Sequence, residues 1–125
     1  MTTSPTDAEA LVQRQLDAYN ARDIEALMAT YATDAKQFEY PAKLLATGAD
    51  AIRERFVVRF TESNLHAALL DRVVMGNVVI DHERVTRTFP EGPGQIELIC
   101  IYEVQNGRIA RATFLPGPKT LDPTH

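Results

Sequence analysis

The sequence predicts one small α+β domain in which three N-terminal helices cover one face of a curved antiparallel (mixed) sheet. In the first half, apolar residues recur at the three- and four-residue spacing of helices, whereas Val, Ile, Thr and Phe dominate from His66 onward. Turn signals interrupt this second half at regular distances. The 125 residues, 45% of them hydrophobic, suffice for one core but not for two ordinary domains. Helices gathered on one side of a strongly curved sheet would leave a cavity beneath them.

The first predicted helix runs from about Asp7 to Asn20, and the second begins near Asp23, whose side chain can cap free backbone amides. A third helix is expected to start after Gly48 and to end near Ser63. Each carries an apolar stripe: Ala8, Leu11, Val12, Leu16 and Tyr19 in the first, Ile24, Leu27, Met28 and Tyr31 in the second, and Ile52, Phe56 and Phe60 in the third.

Strands are predicted in the remaining segments. Residues 36–47 alternate and are broken by Pro41, which indicates short strands. Later turns at Gly76-Asn77, at 90–94 and at Asn106-Gly107 predict four long antiparallel strands. The proline-rich segment 116–125 is expected to be an extended tail, so the predicted organisation is an N-terminal tail (1–6), a domain (7–117) and a C-terminal tail (118–125).

The composition argues against several classes of protein. The 13 basic residues are spread along a chain with 17 acidic ones, so nucleic acid is not an expected partner. No run of 18 apolar residues exists and the first ten residues lack the features of a signal peptide, so a cytoplasmic protein that does not enter membranes is predicted. Three scattered histidines and one cysteine do not form a metal-ligand pattern, and the glycines do not form a phosphate-binding loop. Neither a metal nor a cofactor is therefore expected.

Two residues are candidates for acid–base chemistry. Glu39 lies between Phe38 and Tyr40, and a carboxylate in a poorly hydrated pocket would have a raised pKa. If the two aromatic rings face inward instead, strand alternation sends Glu39 to solvent. His82 lies mid-strand and either lines the pocket as an acid or base or stands on a dimer face paired with carboxylates.

Aromatic side chains are expected near the cavity, although the same pattern is typical of an ordinary core. These residues are Tyr19, Phe56, Phe60, Tyr102 and Phe114. The arginines are expected elsewhere: Arg55 and Arg59 on the outer faces of the third helix, and Arg84, Arg87 and Arg111 in ion pairs on a solvated sheet face.

The order and spacing of several short motifs resemble a known family. The motifs are Tyr19 to Asp23, Tyr31 to Ala35, Gly48 with Ala51 to Glu54, and Asn106 to Ile109. Together they resemble the nuclear transport factor 2-like superfamily and, within it, the SnoaL-like and ketosteroid-isomerase-like branch. The resemblance implies a cone-shaped domain around a pocket for a small apolar or aromatic carbonyl-type molecule. It also implies a homodimer that pairs through the outer face of the sheet.

The resemblance puts several residues at positions where a ketosteroid isomerase has its functional groups. Gln15 stands at the catalytic tyrosine, Phe56 at a supporting tyrosine and Cys100 at the hydrogen-bonding acid, while the base falls on Glu39 or Tyr40 according to the anchor chosen. Because these replacements alter the original donors, ketosteroid isomerase activity is not expected. The resemblance leaves open a cofactor-independent isomerase, cyclase or dehydratase, a non-catalytic binding protein, and a dimerisation domain.

Overall fold

A computed structural model describes residues 5–123, with side chains from Asp7 onward, and confirms the α+β fold. Within this part of the chain there are three helices and one curved, six-stranded mixed sheet. The helices are α1 (Pro5–Ala21), α2 (Ile24–Met28) and α3 (Ala49–Arg59), and the strands are β1 (Tyr31–Glu39), β2 (Lys43–Thr47), β3 (His66–Met75), β4 (Val78–Phe89), β5 (Gly92–Gln105) and β6 (Arg108–Leu121).

Helices α2 and α3 begin where the sequence predicts, but their ends differ from the prediction. Asp23 caps α2 by accepting a hydrogen bond from the backbone N–H of Ala26 at 3.0 Å. Tyr31, predicted on the face of this helix, instead begins β1 and pairs with Ile109 of β6. Helix α3 ends at Arg59, before the predicted end at Ser63, and a loop then leads to β3.

The loop after α3 is held by the side chain of Glu62. Glu62 accepts hydrogen bonds from the guanidinium of Arg87 at 2.9 and 3.2 Å and from the backbone N–H of Thr88 at 2.9 Å. These contacts fasten the loop to β4. This tertiary contact accounts for a helix shorter than its sequence pattern predicts.

The sheet has the strand order β2-β1-β6-β5-β4-β3, in which β1 and β6 are parallel and all other neighbours are antiparallel. The four long antiparallel strands and their turns are therefore confirmed. Asn106 and Gly107 both have positive φ, 52° and 75°, as a tight hairpin turn requires. Register shifts interrupt several strand pairs, among them β3 with β4 between Leu69 and Asp71, and such bulges increase the bend of a sheet.

The structure changes the prediction for the C-terminal segment. Strand β6 continues to Leu121, which pairs with Gly94, so residues 118–121 belong to the sheet and not to a tail. Strand β1 ends at Glu39, opposite Phe114, and beyond this point β6 lies at an open edge. Prolines are tolerated there because an edge does not need their missing N–H groups. At the other end, α1 already begins at Pro5, inside the predicted N-terminal tail, while residues 1–4 and 124–125 lie outside the described part.

The helices cover one face of the sheet, with α1 against β3 and β4 and α3 against β1 and β2. The side chain of Asn20 anchors the end of α1 by donating to the carbonyl of Ala67 and accepting from its N–H, at 2.9 and 2.8 Å. Buried residues of both layers, such as Val12, Ile52 and Val79, form the core. None of the helices within residues 5–123 is long and apolar enough to cross a membrane.

Candidate functional site

A cavity of about 240 Å³ lies between α1, α3 and the inner face of the sheet. This volume is smaller than the roughly 300–1,000 Å³ of pockets that hold drug-sized ligands. Its apolar wall consists of Leu16, Leu45, Val85, Ile96, Leu98, Phe114 and Pro116. Its polar and aromatic lining consists of Gln15, Tyr19, Gln37, Glu39, Arg55, Phe56, Arg59, Glu83, Arg87, Cys100 and Tyr102.

Alternation along β4 decides which of its charged residues face the helices. Val79, Asp81, Glu83 and Val85 are buried, which puts Asp81 and Glu83 on the inner face and turns His82 outward. His82 does not line the cavity, and its Nε2 lies 2.7 Å from Oε1 of Glu97 on β5. The outward alternative for this histidine is the one that the structure adopts.

The two inward carboxyl groups have different environments. Asp81 is fully buried and accepts two hydrogen bonds from Arg72, from Nε to Oδ1 at 2.7 Å and from Nη2 to Oδ2 at 3.0 Å. Arg72 also donates to Gln13 of α1 at 2.8 Å. This bidentate pair ties β3, β4 and α1 together, and it occupies Asp81 with a structural contact.

Glu83 lines the cavity and has no such partner. Its side chain is buried, and its Oε2 atom has no hydrogen-bond partner among the described residues. Burial first, and then the negative charge of Asp81, raise the pKa of Glu83 from 4.5 to about 7, against the opposing effect of Arg72. A carboxyl group with this pKa exchanges its proton near neutral pH, as a general acid or base must.

Strand β1 turns Gln37 and Glu39 toward the cavity and Phe38 away from it. Gln37 is 1% exposed, whereas the guanidinium carbon of Arg111 lies 3.9 Å from the centre of the Phe38 ring on the opposite face. Glu39 therefore lines the cavity, and Tyr40, which follows the strand, is 54% exposed and does not. Of the two side chains considered as the base, only the carboxylate reaches the cavity.

Helix α1 contributes two polar groups to the cavity. Gln15 is buried, and its amide makes no hydrogen bond to the described residues, so both its N–H and its C=O are available to a ligand. Burial raises the pKa of Tyr19 to about 12, against the positive charge of Arg59, so this hydroxyl stays protonated and can donate. Both groups point at the space that a ligand would occupy.

Three arginines lie at the cavity, where none was expected. Arg59 and Arg87 share the carboxylate of Glu62, at 3.5 and 2.9 Å, and Arg55 donates to Oε1 of Gln37. The helical signal for two of them is present in the sequence, since Arg55 and Arg59 follow the buried Ile52 by three and seven residues and so share its face. The spacing of apolar residues alone does not show that charged residues at the edge of an apolar stripe reach the cavity.

A model of the SnoaL-like domain matches residues 12–112, most of the chain. The chain belongs to the SnoaL-like family. This confirms the predicted branch of the nuclear transport factor 2-like superfamily. No curated protein matches in sequence.

Solved structures of the same fold come from several bacteria. A candidate polyketide cyclase from Sinorhizobium meliloti is 27% identical with a TM-score of 0.70, covering 84% of this chain and 93% of its own. An uncharacterised cystatin-fold protein from Novosphingobium aromaticivorans is 21% identical with a TM-score of 0.78, covering 86% and 96%. An epoxide hydrolase from M. tuberculosis, resembling LEH, is 16% identical with a TM-score of 0.74, covering 89% and 83%. Proteins that are named for different reactions therefore share this fold.

Cys100 and Tyr102 line the cavity of this SnoaL-like domain from β5. Burial raises the pKa of both groups well above its ordinary value, so the thiol and the phenol stay neutral. The resemblance to the ketosteroid isomerases puts Cys100 at the position of their acid, and the nearest carboxyl groups of this chain lie on the neighbouring strand β4. In the register of β4 and β5, Cys100 pairs with Asp81, and Glu83 pairs with Leu98 two residues away.

Most of the aromatic residues predicted near the cavity line it, and one packs behind them. Phe56 and Phe114 line the cavity together with Tyr19. Phe60 does not, and its ring packs against Tyr19 and Phe56 with centroid distances of 5.7 and 6.2 Å. Phe60 therefore supports the aromatic wall from behind.

Within residues 5–123, no three Cys, His, Asp or Glu side chains lie together in a way that could hold a metal ion. The described cavity presents carboxyl, amide, hydroxyl, thiol and guanidinium groups.

Proposed function

We propose that this SnoaL-like chain binds a small carbonyl compound with an apolar or aromatic body and moves a proton on it without a cofactor. One observation carries the proposal: Glu83 is buried, lines the cavity, leaves Oε2 unpartnered and has a pKa of about 7. Unpaired buried carboxyl oxygens are uncommon in proteins and indicate a functional role when they face a cavity.

In the proposed reaction, the ionised form of Glu83 removes a proton from the carbon next to the carbonyl group. The C–H electron pair forms a double bond to the carbonyl carbon, and the negative charge moves to the oxygen. Gln15 and Tyr19 offer an N–H and an O–H that can donate to this oxygen. The protonated Glu83 then returns the proton to a different carbon in an isomerisation, or to a departing hydroxyl in a dehydration.

Glu39 is the second carboxylate of the cavity, and it lies on the same inner face of the sheet as Glu83 but on a different strand. In the strand order their strands, β1 and β4, are three strand spacings apart, about 14 Å along the sheet. The charges that shift the pKa of Glu83 are those of Asp81 and Arg72, and not that of Glu39. We assign Glu83, and not Glu39, as the base.

Deuterium exchange tests the assignment without knowledge of the natural substrate. The probe is 2-tetralone in D₂O, whose loss of α-proton signals is followed by NMR. The native chain should exchange these protons faster than buffer, and Glu83→Gln should slow the catalysed rate by about a hundredfold or more. Glu54→Gln, an exposed substitution on α3, is the matched control and should keep the native rate.

The outcomes separate the candidate functions. Loss of exchange in Glu39→Gln but not in Glu83→Gln would move the base to β1 and refute our assignment. If the native chain binds 2-tetralone yet exchange does not exceed that in buffer, the non-catalytic binding protein becomes the better description. The apolar wall of the cavity supports binding in either case.

We also propose a homodimer that pairs through the outer face of the sheet. An apolar row crosses three strands of this face, where Val73 pairs with Ile80 and Ile80 with Ile101. Val73 is 51% exposed, and Leu115 on β6 is 39% exposed on the same side. The face also carries both signs of charge, in pairs such as His82 with Glu97 and Arg111 with Glu103, which suits pairing with an identical face.

Analytical ultracentrifugation at micromolar concentration tests this dimer. The native chain should sediment as a dimer, and Ile101→Lys should sediment as a monomer because it buries a charge in the apolar row. Val58→Lys, on the exposed side of α3, is the control and should remain dimeric. A native monomer would refute the proposal.

A further inference from the structure

Arg55 is a cationic group held at the cavity by a buried neutral side chain. Its guanidinium donates to Oε1 of Gln37, which is 1% exposed and fixed in β1. Exposed arginines usually move among many rotamers, and holding one in place costs side-chain entropy. Here the contact with Gln37 has already oriented the group, so a ligand that binds it loses less entropy.

The ion pairs of α3 show that Arg55 is the exception among the arginines of this helix. Arg53 pairs with Glu25, and Arg59 pairs with Glu62. Arg55 forms no ion pair with any carboxylate in the part of the chain whose side chains are described. A guanidinium has five N–H donors, and those that do not reach Gln37 remain available at the cavity.

The two other arginines of the cavity differ from Arg55, because both contact a carboxylate. Arg59 and Arg87 share the single carboxylate of Glu62, so the three cavity arginines have one carboxylate between them in direct contact. Partial desolvation first, and then the positive charge of Arg59, lower the pKa of Arg55. Glu39 and Glu83 also line the cavity, so Arg55 is distinguished from its neighbours by its unpaired N–H donors and not by an excess of positive charge.

We propose that Arg55 binds a carboxylate group of the ligand, so that the ligand is a small aromatic or alicyclic acid. The planar fork of arginine matches a carboxylate, with two parallel hydrogen bonds. Joined with the proposed function, on which this part rests, the acid end would lie beside α3 and β1. The carbonyl end would lie toward Glu83 on β4.

An acid and its neutral amide of nearly equal shape test this inference. The probes are 2-naphthoate and 2-naphthamide, titrated by calorimetry at pH 8 into the native chain and two variants. The native chain should bind the acid at least about tenfold more tightly than the amide. Arg55→Gln should reduce this ratio to near one, whereas Arg53→Gln, which removes an arginine of the same helix outside the cavity lining, should keep it.

The result that overturns the inference is an equal affinity for the two probes, or a preference for the acid that survives in Arg55→Gln. Binding of neither probe at millimolar concentration also overturns it. Glu83→Gln separates this inference from the proposed function, because it removes a negative charge from the cavity and should therefore keep or increase the preference for the acid while stopping proton exchange on 2-tetralone. The two assignments can therefore fail independently.

Discussion

The most direct test of the site concerns the stability of the chain as the pH changes. Glu83 has a pKa of about 7 in the folded chain, against 4.5 for an ordinary glutamate. Between these values the folded state holds more protons than the unfolded state, so the free energy of unfolding falls as the pH rises. The carboxyl contributes its full stability below pH 4.5 and has lost it once the pH passes about 7.

The expected size follows from the same values. A shift from 4.5 to about 7 corresponds to a loss of about 3 kcal/mol in the free energy of unfolding across this range. Glu83→Gln keeps the shape of the side chain but carries no titrating group. The stability of this variant minus that of the native chain should therefore rise by about 3 kcal/mol from acid to neutral pH and then level off.

Urea unfolding at four pH values between 4.5 and 8, followed by circular dichroism, measures this difference. The exposed Glu54→Gln is again the matched control, and its difference from the native chain should stay nearly constant. A difference for Glu83→Gln that does not change with pH would refute a raised pKa. It would also remove the main support for Glu83 as the proton-transferring group.

Two further substitutions test the framework around the site. Arg72→Met leaves Asp81 as an unpaired buried charge, so it should lower the free energy of unfolding by about 3–5 kcal/mol in urea titrations. Adding Asp81→Leu should restore most of this stability, and a double variant as unstable as Arg72→Met would contradict this account. Gly94→Ala brings a Cβ within 2.4 Å of the carbonyl oxygen of Thr120, so it should lower the free energy of unfolding by about 1–3 kcal/mol in thermal denaturation. Gly117→Ala, where the nearest atom is 3.2 Å away, should lower it less, and equal losses would show that the strands separate easily.

The sequence was sufficient for the fold because local signals there agree with one another. Asp23 caps a helix, and Asn106 with Gly107 forms a hairpin turn, each by a mechanism that acts within a few residues. Boundaries such as the end of α3 were not predictable, because Glu62 bonds to a strand 25 residues away. Long-range contacts of this kind leave no periodic trace in the chain.

The site residues were harder to predict because period-two alternation does not say which face is buried. In β1 the aromatic Phe38 suggested an inward side, yet Gln37 and Glu39 occupy it, since the ring packs under Arg111 on the outer face. In β4, four consecutive polar residues follow Ile80, so both faces of the strand carry charged side chains and the sequence does not show which face is buried. Asp81 and Glu83 are separated from Val79 and Val85 by even numbers of residues and so share their face. This spacing was the one signal that could have predicted that the two carboxyl groups lie inside.

The ion pair between Arg72 and Asp81 also acts on Glu83, the other buried carboxyl group of β4. Arg72 bonds Asp81 through both oxygens, and its charge also lowers the pKa of Glu83. Without Arg72, the negative charge of Asp81 would act on Glu83 unopposed and would raise its pKa above about 7. The proton exchange of the Arg72→Met variant should accordingly need a higher pH than that of the native chain. Arg72 thus acts as a positioning residue, and a pH profile that does not shift in this variant would limit it to a structural role.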